Sequence, residues 1–344
     1  MALTEPEFHG KIRVARLSSR GETTAHDLIR YSSMEAVTRR MGAAEWGFLL
    51  ALTAAWSGIF LLNRFALESL PPLTAVFLRL GFAAPLLIAV VYLQGDRLPG
   101  TLSAWGAFAL MGILNNALPF TIFVWAQQSI ASGLAAIVNA TTPFFTVLLA
   151  HALTTDEKMT GGKIAGVPLG LAGVVVLIGP GAFAGLDRDV VAELVCLLAP
   201  ISYAFAGLWG RRFRTLSPTV AAAGMVTSSA LMMAPLALWH DPPWTLAPST
   251  LSIAAVAAQA AVGTALAYWL YFRILKTAGA TNLLLVTLLM PPAALLLGAL
   301  FAAERFAWSA FGGLGLIFLG LAAMDGRPAA FLRRLAQAGS VAAD

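Results

Sequence analysis

Charge is what this sequence has least of. Only 11% of its 344 residues are Asp, Glu, Lys or Arg, less than half of the roughly 25% typical of a soluble domain. With 59% hydrophobic residues and a mean hydropathy of +0.79, the chain cannot cover itself with polar surface. Lipid must be its solvent. Cysteine is nearly absent too: the single Cys196 excludes an internal disulfide and any cysteine-rich metal site. No Asp, Glu or His lies in the middle of an apolar run; Glu45, Asp156, Glu157, Glu193, Glu304, His151 and His240 all fall at run ends. Proton-coupled carriers commonly use an intramembrane carboxylate or His relay, so strict proton coupling is not expected. A membrane enzyme would need clustered His, Asp and Glu at depth, so no catalytic residue, metal ligand set or cofactor is expected. Residues 1–40 lack the apolar core of a signal peptide.

What is present is a series of apolar runs. A bilayer core takes about 20 residues of helix. Ten such runs are read, at 46–66, 71–93, 103–126, 131–152, 161–182, 191–210, 217–239, 250–271, 278–301 and 306–324. The connections are short, so neighbouring helices run antiparallel and no soluble domain fits between them. Basic residues favour the cytoplasmic side of a membrane. With the N-terminus placed there, 18 of the 22 Lys and Arg are cytoplasmic, three (Arg64, Arg188, Arg305) are opposite, and Arg79 lies inside a span. Dropping the seven basic residues of the tail leaves 11 against three. A multi-pass protein of the cytoplasmic membrane with both termini cytoplasmic is expected. The net charge of +5 is thus a matter of topology, and no nucleic-acid partner is expected.

The second half repeats the first. A shift of 148 lays Glu45 on Glu193, Arg64-Phe65 on Arg212-Phe213, Ala117-Leu118 on Ala265-Leu266 and Pro143 on Pro291. The shift then becomes 147, and Gly166 and Gly173 fall on Gly313 and Gly320. Each repeat holds five spans, an odd number, so the second enters the membrane upside down; inverted repeats let a central site face either side. The expected fold is all-α, ten transmembrane helices as two inverted five-helix repeats. Its divisions are a weakly ordered cytoplasmic tail at 1–43, repeats at 44–183 and 190–325, and a cytoplasmic tail at 326–344. A start at Met34 or Met41 is the alternative reading of the first tail.

The stretches WSGIFLLNRFALESLPPLTAVFLRLGFAAPLL (56–87), ALPF at 117–120 and AAERFAWSAFGGLGLIFLGLA (302–322) carry a resemblance. An Arg follows a Pro-led second span, and an acid precedes a Gly by nine residues twice, Glu157 to Gly166 and Glu304 to Gly313. In this order of features, residues 44–325 resemble the EamA family of the drug/metabolite transporter superfamily. The resemblance implies a ten-helix, exporter-like carrier of small metabolites and names no substrate.

Within the repeats, NNALPFTIFVWAQQSIASGLAAIVNATTPFF (115–145) mixes amides, hydroxyls and prolines into apolar spans. Asn115 and Asn116 belong to span 3, Asn139 and Thr142 to span 4, Tyr268 and Tyr271 to span 8, and Asn282 and Thr287 to span 9. Pro119 and Pro143 free backbone carbonyls, which lipid tolerates only against protein or a wet cavity. Interhelical hydrogen bonding is the plainer reading, at about 0.6 kcal/mol each. The concentration in repeat-matched spans favours a solvated central cavity, with Asn139 and Asn282 facing each other from opposite halves. Trp56 and Tyr203, near mid-span, join this substrate-binding set, whereas Trp125 and Trp209 near span ends suit an interfacial belt. Arg79 sits about 12 Å into span 2. It either holds an anionic substrate group or anchors a structural pair with Glu68 or backbone carbonyls. The resemblance favours the structural role, because the family carries Arg here whatever the substrate. The glycines of spans 5 and 10 recur every three to four residues, a spacing for close helix contact and for a scaffold or dimer face, so the chain is expected as a monomer or homodimer. The expected function is a secondary transporter of a small metabolite or drug-like solute; a channel or lipid scramblase is the alternative, and a membrane enzyme fits least.

Overall fold

The computed structural model describes residues 41–155, 157–179 and 187–325. The expected tails fall almost entirely outside these. Among the described residues nine helices are long and apolar enough to cross a membrane. They are α1 (Ala43–Ala66), α2 (Pro72–Leu93), α3 (Leu102–Ala126), α4 (Ser132–Leu153), α5 (Gly161–Ile178), α6 (Arg188–Phe213), α7 (Pro218–His240), α8 (Thr250–Thr277) and α10 (Trp308–Asp325). Between the last two lies the shorter apolar helix α9 (Leu285–Phe301), preceded by the single turn Ala280–Leu283. No strand occurs among the described residues.

Helix starts follow local chemistry. Pro72 and Pro218 occupy first-turn positions of α2 and α7, where a missing N–H costs nothing. Asp187 and Ser249 accept hydrogen bonds from the backbone N–H groups of Val190 (2.9 Å) and Ser252 (3.1 Å), satisfying otherwise orphaned donors of α6 and α8. Glu45 reaches back to the N–H of Gly42 at 3.0 Å at the start of α1.

Several helices are interrupted, α6 among them at Leu197, and the interruptions are not all where the prolines stand. α3 carries a π-helical turn at Ile113–Ala117, just before Pro119, and α8 carries one at Ala261–Leu266, where no proline follows. A shift of 148 lays the start of the first turn on the start of the second. α4 breaks at Ala140–Thr141, ahead of Pro143, and the hydroxyls of Thr141 and Thr142 donate to the carbonyls of Val138 (2.6 Å) and Asn139 (2.7 Å). Pro291 and Pro292, by contrast, lie inside α9 without breaking it; the interruption comes earlier, at Leu284. A proline leaves a helix intact when neighbouring groups take up the freed carbonyls.

Packing is reciprocal between the halves. α1 packs on α9 as α6 packs on α4; α3 packs on α6 and α7 as α8 packs on α1 and α2. α2 meets α7, and α5 meets α10. In that last pair the expected glycine faces are spent on each other. A Cβ on Gly173 would lie 2.6 Å from the carbonyl oxygen of Gly313, one on Gly313 2.6 Å from that of Gly173, and one on Gly320 2.6 Å from that of Gly166. The indices run in opposite directions, so α5 and α10 are antiparallel. Outside this bundle large apolar side chains point outward, among them Leu50, Val175, Leu231, Leu236, Leu296, Leu300 and Leu319. That surface suits acyl chains and would be untenable in water.

Candidate functional site

A cavity of about 790 Å³ lies at the centre, bounded by side chains from every helix but α5. Four of its walls are the interrupted or polar segments of α3, α4, α8 and α9. The π-helical turn of α3 brings Asn115 to the cavity, and that of α8 brings Gly263 and Thr264. Asn139 ends the first half of α4, and Thr142 opens the second; both line the space. At a shift of 148 Asn139 falls on Thr287, which lines it from α9.

Of the expected binding residues, Trp56, Asn115, Asn139, Thr142, Tyr203, Tyr268, Tyr271 and Thr287 line this one cavity. Two do not. Asn116 is 1% exposed and turned toward α7, where its amide donates to the Ser229 hydroxyl at 3.3 Å. Asn282 donates to the carbonyl of Ala278 at 2.9 Å, at the start of its own helix. The repeat-related counterpart of Asn139 in the lining is Thr287, whereas Asn282 sits on the separate turn ahead of Leu284.

The walls are largely aromatic. Trp56 and Tyr271 pair at 5.8 Å between ring centroids, Phe60 and Phe123 at 5.4 Å, and Phe123 and Tyr203 at 6.3 Å. Trp125, by contrast, is 41% exposed and faces away, as an interfacial belt requires. Trp269 likewise faces outward.

Arg79 is the one charged side chain in the lining. Neither expected partner holds it: among the described residues it has no ion pair with Glu68 and no hydrogen bond to a backbone carbonyl. Instead its guanidinium lies over the ring of Phe120, 3.8 Å from the centroid, in a cation–π contact. The side chain is only 5% exposed, and its Nε is buried without a hydrogen-bond partner.

One end of the cavity is sealed by amides that the sequence reading did not single out. Asn63 donates to Gln127 at 2.7 Å, Gln259 donates to Asn63 at 2.8 Å, and Gln127 donates to the Phe60 carbonyl at 2.7 Å. This ties α1, α3 and α8 together. Asn63 and Gln127 lie near span ends and Gln259 within span 8, and no spacing in the chain connects them.

Comparison with known proteins agrees with this architecture. The profile of the EamA-like transporter family matches residues 45–179 and again 190–324. The Escherichia coli K12 protein named "Uncharacterized inner membrane transporter YedA" is 27% identical over 271 residues, 78% of this chain and 87% of its own. A "Probable amino-acid metabolite efflux pump" of the same organism is 27% identical over 187 residues, 53% of this chain and 58% of that one. A solved crystal structure superposes with a TM-score of 0.60 at 22% identity, covering 86% of this chain and 99% of the other, a likeness of fold alone. With apolar helices throughout and the family profile matched once in each half, this chain is a multi-pass membrane protein that belongs to the EamA-like transporter family.

Proposed function

We propose that this protein is a secondary transporter that exports a small, partly apolar solute across the cytoplasmic membrane by alternating access. The observation that carries this reading is the central cavity, whose repeat-related walls come from both halves of the chain. In this reading α9 and the turn before it form a tenth span: 17 residues of helix reach about 25 Å, and the added turn brings the length near the ~30 Å of a bilayer core. The halves are then inverted five-helix repeats. Matched π-helical turns, reciprocal packing and the exchanged Gly166–Gly320 and Gly173–Gly313 contacts support that symmetry. Both termini are cytoplasmic by the basic bias of the connections. Export is supported by the efflux relative, and a monomer by the burial of both glycine faces within one chain.

The test is counterflow in proteoliposomes, with solutes drawn from a metabolite survey of overexpressing and deletion cells. Saturable exchange that survives a protonophore and falls at least about tenfold in Trp56→Ala or Asn139→Ala is expected. Flux that neither saturates nor shows counterflow would replace the carrier with a channel or scramblase.

A further inference from the structure

Arg79 is expensive where it stands. A charge at membrane depth is retained when it faces the bundle interior and finds a partner, and a buried charge without one is strongly destabilising. Among the described residues no carboxylate answers it. Phe120 covers one face of the guanidinium, and a stacked ring leaves the in-plane N–H donors unspent. Those donors form the planar fork that matches a carboxylate with two parallel hydrogen bonds. The phenols of Tyr203 and Tyr268 are close enough for their electrostatics to reach the same group, and both line the cavity.

The rest of the lining narrows the chemistry. Among the described residues it holds no Asp, Glu, Lys or His, so the lining carries a single positive charge. A monoanion balances that charge, and a phosphate dianion would overshoot it. A cation would meet repulsion, and the ammonium of a zwitterion would find no carboxylate. The apolar body of the ligand has the Trp56–Tyr271 pair and Phe123 to lie against.

We infer that the cavity takes a net-anionic substrate, an organic monocarboxylate with an aromatic or branched apolar body, whose carboxylate sits on Arg79. This rests on the transport reading above and adds the substrate class to it. The substrate supplies the counter-charge that the protein lacks, so Arg79 is a recognition residue and not a structural anchor.

The experiment uses the full chain purified in detergent and titrated calorimetrically with paired probes. The pairs are 3-phenylpropanoate, 4-methylpentanoate and indole-3-acetate, each with its neutral carboxamide, and L-phenylalanine is added as a zwitterion. At least one acid is expected to bind about tenfold or more tightly than its amide, the range of charge-assisted hydrogen bonds, and L-phenylalanine to bind more weakly than 3-phenylpropanoate. Arg79→Gln should erase the preference for the acid, and Arg79→Lys should keep part of it. The ligand-free Arg79→Gln protein should melt no lower than the unmodified one, because the buried charge it loses had no ion-pair partner among the described residues. Acids that never out-bind their amides would overturn the inference, as would a preference that persists in Arg79→Gln or a lowered melting midpoint of that variant. Counterflow of the same probes separates the two readings. Acid binding without exchange removes transport and keeps the anion site, whereas exchange of neutral or cationic solutes indifferent to Arg79 removes the anion site and keeps transport.

Discussion

Glu304 and Glu157 are counterparts at a shift of 147, each nine residues ahead of a glycine of α10 or α5, yet they do different things. Glu304 clamps the start of α4. It accepts from the Ser132 N–H at 2.8 Å, the Ser132 hydroxyl at 2.9 Å and the Gly133 N–H at 3.4 Å. Gly298 makes room for it, since a Cβ there would collide with the carboxylate. Glu157, at the opposite end of the bundle, instead pairs with Arg211, and both side chains stay partly exposed. The serines divide the same way. Ser69 accepts from the Ser249 N–H at 2.8 Å, joining the α1–α2 turn to the start of α8. Their counterparts at a shift of 148 are Ser217 and Thr101. Each caps only its own helix, Ser217 for Val220 and Thr101 for Ala104. One end of the molecule is therefore tied across the halves by the Glu304 and Ser69 contacts, and the other more loosely, by the partly exposed Glu157–Arg211 pair and a bond from the Trp209 indole to the Ala107 carbonyl. The cavity lining extends toward the loosely tied end, through Met111, Phe213, Pro218 and Met324.

The difference has two layers. The serine pairing is encoded twice in the chain, and Ser69 with Ser249 makes it across the halves; the glutamate is duplicated but its partner is not, since Ser132 falls on Ala280 at a shift of 148. The amide cluster is encoded once. At a shift of 148, Asn63 and Gln127 fall on Arg211 and Leu275, and Gln259 falls on Met111. That seal has no counterpart to form at the other end.

Joining the tied end covalently should have the largest effect. Ser69→Cys with Ser249→Cys, in a Cys196→Ala background, is expected to form a disulfide readily, because the two hydroxyl oxygens are 3.3 Å apart. It should abolish counterflow reversibly on reduction. Thr101→Cys with Ser217→Cys should cross-link more slowly and accelerate under turnover. Equal rates for the two pairs would dissolve the comparison.

Removing one glutamate of the matched pair should separate clamp from surface ion pair. Glu304→Ala is expected to cost about 2–4 kcal/mol of stability, because charge-assisted bonds are lost and the Ser132 donors are left unmet. Glu157→Ala should cost well under about 1 kcal/mol, since exposed ion pairs contribute little. Thermal unfolding in one detergent measures both, and similar midpoints would sink the distinction.

The smallest effect should come from the amides. Asn63→Leu leaves the Gln127 carbonyl oxygen and the Gln259 amide without their partner, at about 1–2 kcal/mol within a membrane bundle. The sharper readout is access. A cysteine at Phe60, next to the seal, should react faster with a hydrophilic thiol reagent in the Asn63→Leu background than in the unmodified one. Unchanged labelling would mean that packing alone closes this end.

Much of this was legible in the chain. The lack of charge dictates a lipid solvent, and apolar span length places most helix ends within a few residues, although α8 runs six residues past its span and α9 starts seven residues into its own. The near-constant shift pairs the halves, and polar residues in matched spans pointed to eight side chains that do share one cavity. These features are local or periodic, so one-dimensional spacing carries them. Other features are not. Prolines suggest where a helix is weak, but whether it breaks depends on what neighbours offer the freed carbonyls, and so Pro291 and Pro292 pass unbroken. Which face of a polar helix meets the cavity depends on helix rotation, and this turned Asn116 toward Ser229 and kept Asn282 on its own backbone. The Asn63–Gln127–Gln259 seal joins residues 64 and 196 positions apart in the chain, a separation at which sequence spacing holds no information about contact.

The sequence by itself determined that this is a helical membrane protein built twice over. Burial, periodicity and duplicated length are properties of composition and order. Only the tertiary structure decided which copy of the duplicated serine contact crosses the halves, which amides close the bundle, and that Arg79, buried in the cavity wall, has no ion-pair partner among the described residues. Those outcomes depend on how rigid helices rotate and lean against one another in three dimensions.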